Sequence, residues 1–199
     1  SGEPIWQSSS GIISRGSHHA FSSQGHPRRT LPGPIFRAMT WFTRLTRPVP
    51  LPHWSADLLV LIPRLVCGYL LTKEFGAPKF GLPWSPPDNN LGMFEVAYWF
   101  PNDVRAYGGI FALAPAFFAW MAAFAEGVGG IFLLLGLQVR LFSFLLVCTM
   151  LVAIFMQQIS NGLWAVLPGA GFLWVGLYGM AIGSGRFGLD YLLMRGRAR

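Results

Sequence analysis

The chain has 199 residues, of which 53% are hydrophobic and 12% charged, with a net charge of +7 and a mean hydropathy of +0.46. Soluble domains carry about 25% charged residues, so this composition excludes a soluble enzyme, a disordered chain and a disulfide-rich secreted module. An integral membrane protein of one or two domains remains.

The distribution of charge sharpens that reading. Leu141 to Gly185 spans 45 residues without an Asp, Glu, Lys or Arg, and Ala106 to Gly185 spans 80 residues with two charges, Glu126 and Arg140. A membrane helix needs about 20 apolar residues to cross about 30 Å of hydrocarbon, so the longer stretch has room for about three crossings.

Residues 1–38 hold eight Ser and three of the four His, with almost no apolar periodicity. Such a segment cannot bury enough surface to offset chain entropy. It has no apolar core of a secretory signal peptide. The expectation is a disordered or spurious extension, with translation starting at Met39, the first Met. Its Ser- and Arg-rich composition with one acid, Glu3, also fits a transit peptide, the less favoured reading. Residues 39–53 read as an interfacial amphipathic segment. Over residues 35–47, Phe36, Met39, Trp41, Phe42 and Leu45 are interleaved with Arg37, Arg44 and Arg47, which suits a short helix on anionic headgroups. Pro48, Pro50 and Pro52 stop it.

Residues 54–192 read as a four-helix transmembrane domain. The first span is expected from about Asp57 to Gly76, with a kink near Pro63. The second runs from about Pro115 to Leu137. The third follows a short turn at Gln138–Arg140 and ends near Gln158, and the fourth runs from Leu163 to Gly183. Between spans one and two lies a long loop, about 77–110, rich in Pro and aromatics, including Trp84, Phe94, Tyr98, Trp99 and Phe100. Loops this long are usually functional or disordered. Its 92–100 stretch is aromatic enough to lie at the membrane interface. Residues 193–199 form a basic cytoplasmic tail. The fold class is an all-α membrane protein, a four-transmembrane-helix bundle with a long aromatic loop between helices 1 and 2.

Lys and Arg number eleven on the side of both termini and three on the other. The positive-inside rule places both termini in the cytoplasm and the aromatic loop outside. The basic balance is a topology signal, and no nucleic-acid partner is expected. Membrane lipid is the expected surrounding.

An ionisable residue inside a span is a functional candidate, because burying it costs at least about 2.5–3.5 kcal/mol. Arg64 sits roughly 10 Å into span one and Glu126 roughly 16 Å from the cytoplasmic end of span two, at about 1.5 Å per residue. An Arg side chain covers that difference, so the two are expected to face the bundle interior and pair, directly or through water. Such a pair either fixes helix register or handles protons and ligand. Around Glu126, the residues Ala119, Ala123 and Gly127 repeat every four residues and make one smooth helix face. That face serves close helix packing or leaves space for a flat ligand such as a quinone ring.

Gly183-Ser-Gly-Arg-Phe-Gly188 has the letters of a dinucleotide fingerprint but follows a membrane helix instead of a strand, so it is read as a turn. Asp190 beyond it is placed to meet Arg140 or Arg186. All four His precede span one, so haem ligation within the bundle lacks its histidines. No Cys/His spacing suits a metal. Cys67 and Cys148 fall at similar depths on spans one and three. They are either a thiol pair or, as buried free Cys more often are, apolar fillers. Gln157, Gln158 and Asn161 either bind a polar ligand or mark the interface.

Several of these residues together resemble the DoxX family. Arg64-Leu-Val-Cys-Gly68, then Gly76 and Lys79, look like its first-span pattern. Glu126-Gly-Val-Gly-Gly130, Gly136 and Arg140 look like its second, and Gly183 to Asp190 resembles its end-of-bundle motif. The match covers about residues 57–190. The resemblance implies a small four-helix protein of the inner (plasma) membrane, tied to respiratory or thiol- and sulfur-linked oxidoreductase systems. A related branch, DoxD, is a subunit of a thiosulfate:quinone oxidoreductase, and the long outer loop here is nearer to that branch. The family pattern reaches Arg64, Gly68, Lys79, Glu126, Arg140, Arg186 and Asp190.

Two functional readings follow. One is a membrane subunit of a quinone-linked system, with Glu126 and Arg64 as the reacting pair, Gly68, Gly127 and Gly130 beside a quinone, no intrinsic cofactor and a protein partner. The other is a non-catalytic membrane anchor or assembly protein for a partner complex. A small transporter is a third class, but no inverted repeat is visible.

Overall fold

The computed structural model describes residue 49 and residues 51–197. The extension expected at 1–38 and most of the interfacial segment at 39–53 lie outside the described residues.

Four helices are long and apolar enough to cross a membrane: Trp54–Gly76, Pro115–Leu135, Val139–Asn161 and Leu163–Ile182. Span one is α1, Trp54–Leu70, prolonged by a π-helical turn at Leu71–Gly76. Two short helices follow in the loop, α2 at Phe100–Ala106 and α3 at Gly109–Leu113. Span two is α4, Pro115–Leu135. Span three is α5, Val139–Val152, continued by a second π turn at Ala153–Gln158 and a 3-10 turn at Ile159–Asn161. Span four is α6, Leu163–Ile182, with Pro168 inside it. A last helix, α7, occupies Leu189–Arg197.

Each span buries one stripe, as a 3.6-residue period requires. In span one the stripe is Asp57, Arg64, Gly68, Leu71, Thr72 and Gly76. In span two it runs through Ala119, Ala123, Glu126, Gly127, Gly130 and Leu133. In spans one and two the buried stripes are mostly small or polar, while Leu59, Val66 and Tyr69 of span one point outward. Lipid is as apolar as Leu, so large apolar side chains lose nothing by facing it, and small residues let backbones meet.

Spans one and two meet in that way. A Cβ on Gly68 would lie 2.8 Å from the Gly130 carbonyl oxygen. Gly76 abuts the Gly127 backbone, and Gly130 abuts Thr72. The Thr72 hydroxyl donates to the Gly127 carbonyl at 3.2 Å. Spans three and four repeat the device, with Gly176 against Val147 and Gly179 against Ser143.

The long loop is folded onto this frame. Phe80 and Val96 form an antiparallel bridge. Gly81 N–H donates to Glu95 O at 2.8 Å, and Ala97 N–H to Lys79 O at 2.9 Å. Phe80 is fully buried, edge-on to Trp120 and Phe124 of span two. Trp120 Nε1 donates to the Phe94 carbonyl, which ties the loop to span two. After span four the chain turns at Gly183 and Gly185, both with positive φ, and passes back under spans one and two.

Gly130→Ala is expected to lower thermal stability by about 1–3 kcal/mol through overpacking. Gly171→Ala, whose new methyl meets open space, serves as the control. Circular-dichroism melts in detergent compare the two, and equal melting temperatures would contradict the glycine contact.

Candidate functional site

Arg64 and Glu126 are both buried, at 3% and 4% exposure, but they do not pair. Glu126 takes Lys79, with Nζ to Oε2 at 2.7 Å. Arg64 instead donates from Nη1 to the Ser184 carbonyl and from Nη2 to the Phe187 carbonyl, the latter at 3.0 Å. The pairing expected from depth fails because the start of span one is not level with the end of span two. A side chain on Gly136, just past the end of span two, would meet Arg64 Nη2 at 3.1 Å. Arg64 is therefore level with the end of span two. Glu126 lies ten residues back, about 15 Å along the helix, beyond the reach of Arg64.

The structure thus holds two separate polar centres. The first, at the loop end, is Lys79 with Glu126. Lys79 follows the π turn of span one, and the bridged loop fixes its backbone through Ala97. Its ammonium also sits 5.1 Å from the centre of the Phe100 ring, a cation–π contact. Tyr107, at the end of α2, is near the pair. Burial pushes its phenol above the ordinary range, and the Asp103 and Glu126 carboxylates add to the rise.

The pair stands in the wall of a cavity of about 700 Å³. Phe100, Val104, Tyr107 and Phe111 of the loop roof it. Met121, Ala125 and Glu126 of span two face Cys148, Thr149 and Gln158 of span three across it. Phe117, Phe144 and Cys148 line the cavity and are also exposed on the outer surface of the helices. The cavity therefore reaches the lipid-facing surface between spans two and three. Both π turns border it, through Phe75 in one and Ala153, Gln157 and Gln158 in the other. Such turns shift side-chain register within a helix and are frequent at functional sites.

The second centre is the turn at 183–190 with its partners. Asp190 accepts from the backbone N–H groups of Gln138 and Val139 at 2.9 and 3.2 Å, satisfying the start of span three. Burial pushes its carboxyl up, partly offset by those two N–H donors and by the Arg64 charge. The contacts expected between Asp190 and Arg140 or Arg186 are not formed. Arg186 pairs with buried Asp57, Nε to Oδ2 at 3.2 Å, and Arg140 Nη2 donates to the Ala181 carbonyl at 3.2 Å. The backbone groups at the start of span three claim the Asp190 carboxylate before any side chain reaches it.

The remaining candidates separate. Gly68, Gly127 and Gly130 make the contact of spans one and two and line neither large cavity, so no flat ligand fits against them. Cys148 lines the 700 Å³ cavity while Cys67 packs on the central cluster around Leu71 and Leu133; both thiols are free. Among the described residues, no group of three His, Cys, Asp or Glu comes together as a metal site needs. Sequence reasoning missed Tyr107, Thr72 and Asp57. For Asp57 a signal was present, an acid at the mouth of an apolar span.

The DoxX family model matches residues 59–158, from span one to near the end of span three. The chain belongs to the DoxX family. No curated protein and no solved structure matches it. The family match takes in Arg64, Lys79 and Glu126, so this DoxX protein carries its cavity pair within the matched segment.

Removing one partner of a buried ion pair strands the other. Lys79→Met is expected to cost about 3–5 kcal/mol, with most of it regained in Lys79→Met/Glu126→Leu. Denaturant melts of the four proteins in the cycle measure this. A double variant no more stable than Lys79→Met would show that the two side chains do not interact.

Proposed function

We propose that this DoxX protein is the membrane subunit of a quinone-linked thiol or sulfur oxidoreductase system, and that the 700 Å³ cavity is its quinone site. The observation that carries the reading is the Lys79–Glu126 pair in the wall of an apolar, aromatic cavity that reaches the bilayer. Ligand pockets usually have 300–1,000 Å³ or so, apolar walls and a few convergent polar groups. A quinone supplies two-electron, two-proton carriage and travels in the bilayer. The walls from Phe111, Phe118 and Met121 suit its ring and tail. Lys79 Nζ is a donor for a carbonyl oxygen, and the Glu126 carboxylate holds or takes a proton at Oε1 or Oε2. Tyr107 extends that polar edge toward Asp103 at the loop surface. Electrons come from a partner subunit. Arg64, formerly grouped with Glu126, has no place in this site.

The same reading puts the protein in the plasma membrane with both termini cytoplasmic. It rests on eleven Lys and Arg at one side against three at the other.

A short-tailed ubiquinone titrated into the protein in nanodiscs tests the proposal by tryptophan quenching, read from Trp120, which adjoins the cavity-lining Met121 in sequence. Saturable binding is expected. Ala122→Phe, which fills the cavity, is expected to weaken it at least about tenfold, or about 1.4 kcal/mol. Glu126→Gln is expected to keep the fold and lose proton-coupled turnover when the partner is restored. Binding that ignores Ala122→Phe, or no binding at all, would leave the non-catalytic anchor as the better reading.

A further inference from the structure

A second cavity, of about 470 Å³, lies at the opposite end of the bundle, between spans one and four. Val60, Pro63 and Arg64 of span one and Trp174, Val175 and Tyr178 of span four form its walls. Ser143 of span three also lines it. Trp174 and Tyr178 are exposed on the lipid-facing side, so this cleft also borders the bilayer.

Its walls are apolar with two exceptions. Arg64 lines the cleft, and its Nε–H is buried without a hydrogen-bond partner among the described residues. The Ser143 hydroxyl is likewise buried and unpartnered. Arg64 is a buried cation whose Nη groups meet backbone carbonyls, and it forms no ion pair among the described residues. The nearby Asp190 carboxylate is engaged by the Gln138 and Val139 N–H groups. An unpaired buried charge and two idle donors are costly in a low-dielectric interior. Both donors border one cleft, at the level where span two ends and the chain turns. The Arg64 guanidinium is beside Gly136, just past the end of span two.

We infer that the cleft between spans one and four binds an anionic membrane lipid, its acidic headgroup accepting from Arg64 Nε–H and Ser143 Oγ–H and an acyl chain lying between Val60 and Val175. The donors select an acceptor oxygen with negative charge, and the apolar walls select a chain. Trp174 and Tyr178 flank the mouth as amphipathic side chains do where lipid meets protein. The site is distinct from the loop-end cavity and does not depend on quinone binding there.

Native mass spectrometry of the full chain in nonionic detergent tests this, with phosphatidylglycerol, phosphatidylcholine or inorganic phosphate added separately. Phosphatidylglycerol is expected to be retained at least about tenfold more tightly than phosphatidylcholine. Arg64→Gln removes the donor but also the hold on the Ser184 and Phe187 carbonyls, so it perturbs the fold as well as the cleft. Val175→Phe, which fills the cleft, and Ser143→Ala, which removes one donor, avoid this. Both are expected to weaken phosphatidylglycerol retention about tenfold, with melting in lipid-free detergent unchanged. Equal retention of the two lipids, or retention unaltered in Val175→Phe, overturns the inference. So does displacement of the lipid by equimolar inorganic phosphate, which would mean an anion site without an acyl chain.

Discussion

The close contact of spans one and two is the constraint on which the rest of the bundle depends. Gly68 against Gly130 and Gly76 against Gly127 let two backbones touch where any side chain would hold them apart. The contact fixes the height of one helix against the other as well as their separation. With Gly76 beside Gly127, Lys79 arrives beside Glu126. With Gly68 beside Gly130, Arg64 falls beside Gly136 and the returning chain. A shift by one helical turn, about 5.4 Å, would break both polar centres together.

Those centres solve the same electrostatic problem in different ways. A buried charge needs either an opposite charge or a set of well-placed dipoles. Glu126 has the first, in Lys79. Arg64 has the second, in the carbonyls of Ser184 and Phe187, which the glycine turns at 183 and 185 point toward it. Asp190 is engaged by backbone donors at the start of span three, so the last turn of the chain fastens spans one, two and three at once. The motif that looks like a nucleotide fingerprint is a structural clasp.

The two cavities follow from where the spans part. Spans two and three are tied at their shared turn, with Phe132 stacked on Phe142, and diverge toward the loop end. The folded loop roofs the gap and leaves a chamber with one ion pair in its wall. Spans one and four have few contacts and leave the cleft beside Arg64. Each opening borders lipid, and each offers different chemistry. A neutralised pair in an aromatic chamber suits a neutral, carbonyl-bearing ring, whereas a guanidinium without a carboxylate partner among the described residues suits an acid.

The sequence by itself determined the architecture. Charge scarcity and run length define four spans, because hydrocarbon thickness sets helix length almost without regard to tertiary context. It also marked Arg64 and Glu126, because ionisable residues stand out within apolar spans, whereas Lys79 was reached only through the resemblance to the family pattern and Asp190 through the glycine turn before it. It could not pair them. Counting residues from a presumed membrane boundary assumes that helices begin level, and span one projects past the end of span two, with Arg64 beside Gly136. Pairing across 47 residues, as for Lys79 and Glu126, depends on that offset and on a loop whose fold rests on Phe80 reaching the core. Tertiary structure alone decided it, because helix height is set by which glycines touch, and a glycine carries no sign of its partner.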